Sequence, residues 1–241
     1  MTEFHDSIVE IQPKIIGGND ADISKFTFQV LIQVHYNGYY SYCGGSLISP
    51  NWILTAAHCF YNKPKDNVKV IAGHTMFFDG GVTRQADKVI INDDYKHDLK
   101  IVADMALIHV SHPFKTTDKI RPVLLFDKQI ALGTYAYVSG WGAYSPYSND
   151  QSNRLQFLYE KTISLDECKQ IYPELELSEN NVCAGNGYKG TCGGDSGGPL
   201  AVNGNLIGVL STGPRPCGNG NPDIYMNVSS YRSWIRDNTG I

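Results

Sequence analysis

The chain has 241 residues, of which 42% are hydrophobic and 18% charged, enough to bury a substantial core as one large all-β unit or two small domains. Its formal net charge is only -4 and no run of Lys or Arg exceeds a residue or two, so the concentrated basic surface that nucleic-acid binding needs is missing. No stretch of about 20 apolar residues occurs, so no membrane-spanning helix is expected.

Residues 1–14, MTEFHDSIVEIQPK, lack the apolar stretch of roughly 7–15 residues that a signal peptide carries, and on their own they suggest a cytosolic chain. The six cysteines argue the opposite. Cys43, Cys59, Cys168, Cys183, Cys192 and Cys217 are widely separated, without the close pairs of a zinc site. An even number at such spacing predicts three disulfides and a secreted, extracellular protein whose signal peptide is absent from the given sequence; the connectivity stays open.

Short β-rich runs follow one another: FTFQVLIQVHY (26–36), GSLISPNWILTA (45–56), NVKVIAG (67–73), DMALIHV (104–110), YAYVSGWG (135–142) and NLIGVLST (205–212). Clusters of Gly, Asn, Asp and Pro separate them, a pattern that predicts an antiparallel sandwich or barrel. SPYSNDQSN (145–153) reads as an exposed loop. One helix is expected, from about Ser230 to Asn238, with Tyr231, Trp234 and Ile235 on one face and serines available as N-caps.

Three local stretches carry chemistry. In GTCGGDSGGPL (190–200), Ser196 sits on a glycine-built turn, where sharp bending leaves backbone N–H groups free to face an oxyanion. A serine hydroxyl attacks poorly until a base takes its proton and a third group orients that base. LTAAHC places His58 beside Cys59, and VADMALIHV places Asp104 at the head of an apolar run, where a buried carboxylate needs a partner such as an imidazole N–H. Each piece alone has a plainer use: a lone histidine is usually structural, an aspartate at a strand start is usually a cap, and Gly-Asp-Ser-Gly occurs by chance. Their occurrence together, in the order His, Asp, Ser, favours nucleophilic catalysis.

TAAHC, the DMAL segment and GDSGGP resemble the three active-site motifs of the chymotrypsin/trypsin-like serine proteases, and IIGG (15–18), CGGSLIS (43–49) and SGWG (139–142) also match. The similarity covers residues 15–241. It implies an all-β fold of two six-stranded antiparallel β-barrels with a C-terminal helix, the first within 15–120 and the second within 121–241, following a propeptide or leader at 1–14. It implies His58 as general base and then acid, Asp104 as its orienting partner, Ser196 as nucleophile, and the N–H groups of Gly194 and Ser196 as oxyanion donors, each worth about 3–4 kcal/mol of barrier. The disulfides it implies are Cys43–Cys59, Cys168–Cys183 and Cys192–Cys217. It also implies activation by cleavage between Lys14 and Ile15, after which the Ile15 ammonium pairs with Asp195. Breaking such a buried pair costs about 3–5 kcal/mol, enough to keep the uncut chain latent.

In this family the residue six before the nucleophile lies at the base of the primary specificity pocket. Here it is Gly190, so the aspartate that favours Arg or Lys is missing, while Asp223, in NPDIY, stands where a glycine is usual. A Gly190/Asp223 arrangement is similar to that of the brachyurins, the crab collagenolytic proteases, and implies a mixed preference for Lys/Arg and for large apolar side chains. Asp223 after Pro222 is otherwise a solvated turn residue. The pocket wall reads Ser211-Thr212-Gly213, without the usual aromatic residue. The longer stretch Pro214-Arg215-Pro216-Cys217 is positioned to narrow the pocket or to bring Arg215 to Asp223.

The expected protein is therefore a secreted serine endopeptidase zymogen of digestive type, monomeric, acting on proteins or peptides, activated by a trypsin-like protease and subject to protein inhibitors. The rival is a catalytically silent paralogue that binds proteins with the same fold, a kind known in this family, including in parasitic mites. No cofactor is expected. The segment AGHTMFFDGGVTRQ offers only Asp79 where calcium needs paired acidic ligands, so no metal site is expected either. Asn227-Val228-Ser229 is a glycosylation sequon.

Overall fold

β-Branched residues at every second position make the first long strand: in QVLIQVHY, Val30, Ile32 and Val34 enter one core while Leu31 faces another cluster. The computed structural model describes residues 15–97, 101–145, 147, 150–185 and 187–241; Lys14, the rest of the leading segment and part of the 145–153 loop lie outside these. A two-residue strand, β1 (Asn19–Asp20), precedes β2 (Gln29–Tyr36), β3 (Tyr39–Leu47), β4 (Trp52–Thr55), β5 (Val68–Ala72), β6 (Val82–Gln85), β7 (Lys88–Ile91) and β8 (Ala106–His109). Strands β2 to β8 form an antiparallel sheet in the order β6-β5-β2-β3-β4-β8-β7. The run 45–56 is not one strand: it supplies the end of β3, a turn and all of β4.

The second half adds β9 (Leu124–Leu125), β10 (Tyr135–Gly140), β11 (Gln156–Ile163), β12 (Asn181–Ala184), β13 (Pro199–Val202), β14 (Asn205–Thr212) and β15 (Asp223–Asn227). Six of them close on themselves in the order β11-β10-β13-β14-β15-β12, because β12 pairs back with β11. The expected pair of β-barrels is present with one difference: the second is a closed six-stranded ring and the first a half-barrel. In the half-barrel the edge strands β6 and β7 are joined through Ala86-Asp87 rather than paired. The Ala86 N–H bonds Val68 and the Asp87 N–H bonds His109, so the chain itself crosses the gap between the edges.

Helix α1 (Leu165–Ile171), absent from the sequence reading, is capped by the Ser164 hydroxyl, which accepts from the Glu167 N–H. The C-terminal helix, α2 (Arg232–Thr239), starts later than expected. A 3-10 turn, Val228–Tyr231, comes first, and it is capped by Asn227 accepting from the Ser229 N–H; no serine caps the helix. Tyr231 and Ile235 are buried with Trp234 against the core of the first sheet, so the C-terminal helix ties the two halves together. Burying one such aliphatic side chain stabilises by about 1.5–3 kcal/mol. The sequon is in structural use: Asn227 Nδ2 donates to the Glu179 carbonyl at 3.1 Å and its Oδ1 accepts from the Ser229 hydroxyl at 2.9 Å.

The three disulfides are Cys43–Cys59, Cys168–Cys183 and Cys192–Cys217. A cross-link closing a loop of this length contributes about 3 kcal/mol on a chain-entropy argument.

Candidate active site

His58 lies in the 3-10 turn Ala57–Phe60, which the Cys43–Cys59 bridge fastens to β3. Asp104 sits just before β8, and Ala103 beside it takes the uncommon φ of 51°. That backbone is held by the Ala103 N–H, which donates to the Tyr231 hydroxyl at 3.1 Å. The turn and the strand head meet: His58 Nδ1 lies 2.7 Å from Asp104 Oδ2, and the His58 backbone N–H donates to Asp104 Oδ1 at 2.8 Å. The sequence places Ser211 only in a pocket wall, but its hydroxyl donates to Asp104 Oδ2 at 2.6 Å. Burial works to raise the Asp104 carboxyl. The His58 imidazole and the hydrogen bonds from His58 and Ser211 outweigh it and hold the group below the usual carboxylate value.

Ser196 reaches the same place from the second barrel. The Gly44 N–H of β3 donates to the Ser196 carbonyl at 2.8 Å, and a Cβ on Gly44 would lie 2.8 Å from the Gly198 Cα. Only a glycine lets the turn approach the strand this closely. Gly197 has φ +77° and packs against Thr55 and Gly44, which excludes a side chain there too. Ser196 and His58 line one cleft of about 390 Å³, although no hydrogen bond closes between their side chains among the described residues. Such contacts are often long without substrate. The N–H groups of Gly194 and Ser196 make no hydrogen bond within the described protein. The turn that carries them is fixed by its other groups: the Gly193 carbonyl accepts from the Ala143 N–H at 2.8 Å and from Gln151 Nε2 at 3.2 Å.

Ile15 is fully buried in the second barrel's core, and Ile16 pairs with Gly190, whose N–H donates to the Ile16 carbonyl at 3.2 Å. The start of the described chain is thereby docked beside the 190–195 turn. Asp195, also fully buried, accepts from the Gly142 N–H at 2.7 Å and from the Cys192 N–H at 3.0 Å. It has no cation beside it among the described residues, and burial pushes its carboxyl up to about 7 against the lowering effect of those two N–H groups.

Thr191, Ser211, Thr212, Gly213, Pro214 and Arg215 form one side of the cleft. Asp223 is not a solvated turn residue: it is 2% exposed and lies in β15 immediately behind that wall. Its Oδ2 accepts from the Thr191 N–H at 2.9 Å, and Gly213 packs directly on Oδ1. A Cβ on Gly190 would stand 3.3 Å from Oδ2, so the missing side chain lets residue 190 lie directly beside the carboxylate. Arg215 is exposed and, among the described residues, makes no ion pair with Asp223.

The chain matches the protein-family model described as Trypsin over residues 15–235. It is 36% identical over 245 residues to kallikrein-2 of Homo sapiens, covering 94% of this chain and 90% of that protein. Among solved structures, HL collagenase superposes with TM-score 0.85 at 34% identity, covering 94% of this chain and 99% of the other. The scabies mite inactivated protease paralogue S-D1 superposes with TM-score 0.84 at 27% identity, covering 94% and 97%.

Proposed function

The chain belongs to the trypsin family of serine proteases, with the chymotrypsin-like fold, and on that premise we propose that it is a secreted endopeptidase made as a zymogen and cut between Lys14 and Ile15. The observation that carries the reading is the His58–Asp104 contact opening on the cleft that Ser196 lines, beside two uncommitted N–H groups. With His58 Nδ1–H donated to Asp104, Nε2 is left free to take the Ser196 proton as Oγ attacks the peptide carbonyl. The oxyanion then settles on the N–H groups of Gly194 and Ser196. Protonated His58 returns the proton to the leaving amine, and water repeats the sequence to release the acyl group. Three disulfides support an oxidising, extracellular setting. Protein and peptide substrates, a trypsin-like activator and protein inhibitors are the partners this chemistry calls for.

Ser211 orients Asp104 through a charge-assisted bond, worth about 1.5–3 kcal/mol. Ser211→Ala is therefore expected to lower kcat about tenfold. Steady-state kinetics with an unchanged kcat would remove Ser211 from the positioning of the base.

Specificity rests on Asp223 behind a wall of glycine and threonine, an arrangement that serves cationic and large apolar side chains alike. The test is a substrate panel carrying Lys, Arg, Phe, Leu or Ala before the scissile bond, used after trypsin treatment, with trypsin removed before readout and the new terminus sequenced. The expected result is turnover of basic and apolar reporters with kcat/KM values within about a hundredfold of each other. A gap of several orders of magnitude ends the broad-specificity reading. The likeness to an inactivated paralogue favours one other reading, a protein binder. Silence from a folded chain that begins at Ile15 would select it.

A further inference from the structure

Behind the cleft lies a second carboxyl that sequence reasoning did not identify. Glu160, in β11, is 3% exposed and approaches Asp223 across the β11–β12–β15 side of the closed barrel. Its Oε2 accepts from the Tyr225 hydroxyl at 2.6 Å. Glu160 Oε1 and Asp223 Oδ1 are both buried without a hydrogen-bond partner among the described residues, and the Glu160 carboxyl carbon and the Asp223 backbone N each lie 3.8 Å from the point that a Cβ on Gly185 would occupy, so the two acids are neighbours. A hydrogen bond between two carboxyl groups requires that one of them carry a proton. The titratable groups facing the pair are Tyr225 from the same strand as Asp223, Asp195 from the 190–195 turn, and Tyr172, whose hydroxyl donates to the Pro222 carbonyl; Thr191 adds a neutral donor. None is a cation. Two adjacent buried carboxylates without a cation do not both ionise.

We propose that Glu160 and Asp223 hold one proton between them and form a pocket base whose charge follows the substrate. A lysine or arginine side chain entering past Gly190 expels the shared proton to solvent and meets two carboxylates, whereas an apolar side chain leaves the proton in place and meets a singly charged, hydrogen-bonded pair. Glu160 is thereby a specificity-determining residue that acts through Asp223. The proposal rests on the protease reading of the cleft, and it explains how one pocket accepts both classes. Burial raises both groups, Glu160 the more strongly, and the proton belongs to the pair and not to either residue alone.

The experiment uses Ser196→Ala protein cut after Lys14, with Glu160→Gln and Asp223→Asn added separately; the glutamine keeps the shape and the bond from Tyr225. Infrared spectra at neutral pH are expected to show an un-ionised carboxylic acid band that Glu160→Gln removes and that Asp223→Asn, which leaves Glu160 buried, keeps. Benzamidine, a cationic probe, is expected to release protons on binding, read by calorimetry in buffers of different ionisation enthalpy. Its affinity is expected to rise about tenfold between roughly pH 6 and 9. In Glu160→Gln the extra release and the rise should both disappear, while indole, a neutral probe, binds without pH dependence in either protein. A band untouched by Glu160→Gln, or identical benzamidine profiles in the two proteins, overturns the proposal. A protein that shows the band but binds no benzamidine overturns the specificity role alone and, with it, the placement of the primary pocket.

Discussion

Ser196→Ala is expected to lower kcat by about a millionfold on any reporter the processed chain turns over, with KM little changed. In the proposed mechanism the removed hydroxyl is the group that forms the covalent bond. His58 and Asp104 keep their 2.7 Å contact without it, because that contact is set by the disulfide-held turn and the head of β8. A residual rate about 10³–10⁴ above water should remain, since the substitution leaves both oxyanion N–H groups, which belong to the backbone, in place to polarise the carbonyl. His58→Ala should cost about as much, and the double variant little more, because the two residues act as a unit. Single-turnover kinetics on purified variants measure this. An alanine variant that keeps more than about a hundredth of the rate would place the nucleophile elsewhere.

The parts of this site that were legible in the sequence are those whose chemistry is local. A histidine beside a cysteine, an aspartate heading an apolar run and a serine among glycines each announce themselves within a few residues. What joins them is not local: the His58–Asp104 contact spans 46 residues and the Ser211–Asp104 bond 107. Glu160 was hidden for a different reason. In QFLYEKTI the polar Gln156, Glu160 and Thr162 point inward with Leu158, while Phe157, Tyr159 and Ile163 lie on the other face. The usual alternation is inverted, and the strand's Gln, Glu and Lys are residues that strands disfavour. Nothing in the local pattern therefore marks Glu160 as buried. Strands β12 and β15 escaped notice because they are short and draw their pairing from the closed ring. The half-barrel was not foreseeable either, since whether β6 and β7 pair depends on Ala86 and Asp87 bonding outward to Val68 and His109.

The intact chain is expected to lose stability as pH rises, and cleavage after Lys14 is expected to abolish most of that loss. Asp195 has an ordinary value of 3.8, and burial raises it to about 7 in the folded chain. Stability from such a group is fully present below 3.8 and drains away as pH climbs through about 7, because the unfolded chain gives up its proton first. Roughly three pH units at about 1.36 kcal/mol each amount to about 4 kcal/mol. For a chain of this size that corresponds to a fall in Tm of about 8–16 °C between roughly pH 4 and just above pH 7. Once the chain begins at Ile15, already buried beside this turn, its ammonium supplies the missing cation and Asp195 ionises at no such cost. Calorimetric melts of Ser196→Ala protein, intact and cut, test this without self-digestion. Glu160 and Asp223 contribute with the same sign in both forms, so the difference between the two slopes belongs to Asp195. Equal slopes would mean that the new terminus never reaches Asp195. Asp195→Asn in the intact chain provides the complementary result: it should flatten the slope without any cleavage, because the amide has no charge to bury, while overall stability falls because its single oxygen can accept from only one of the Gly142 and Cys192 N–H groups.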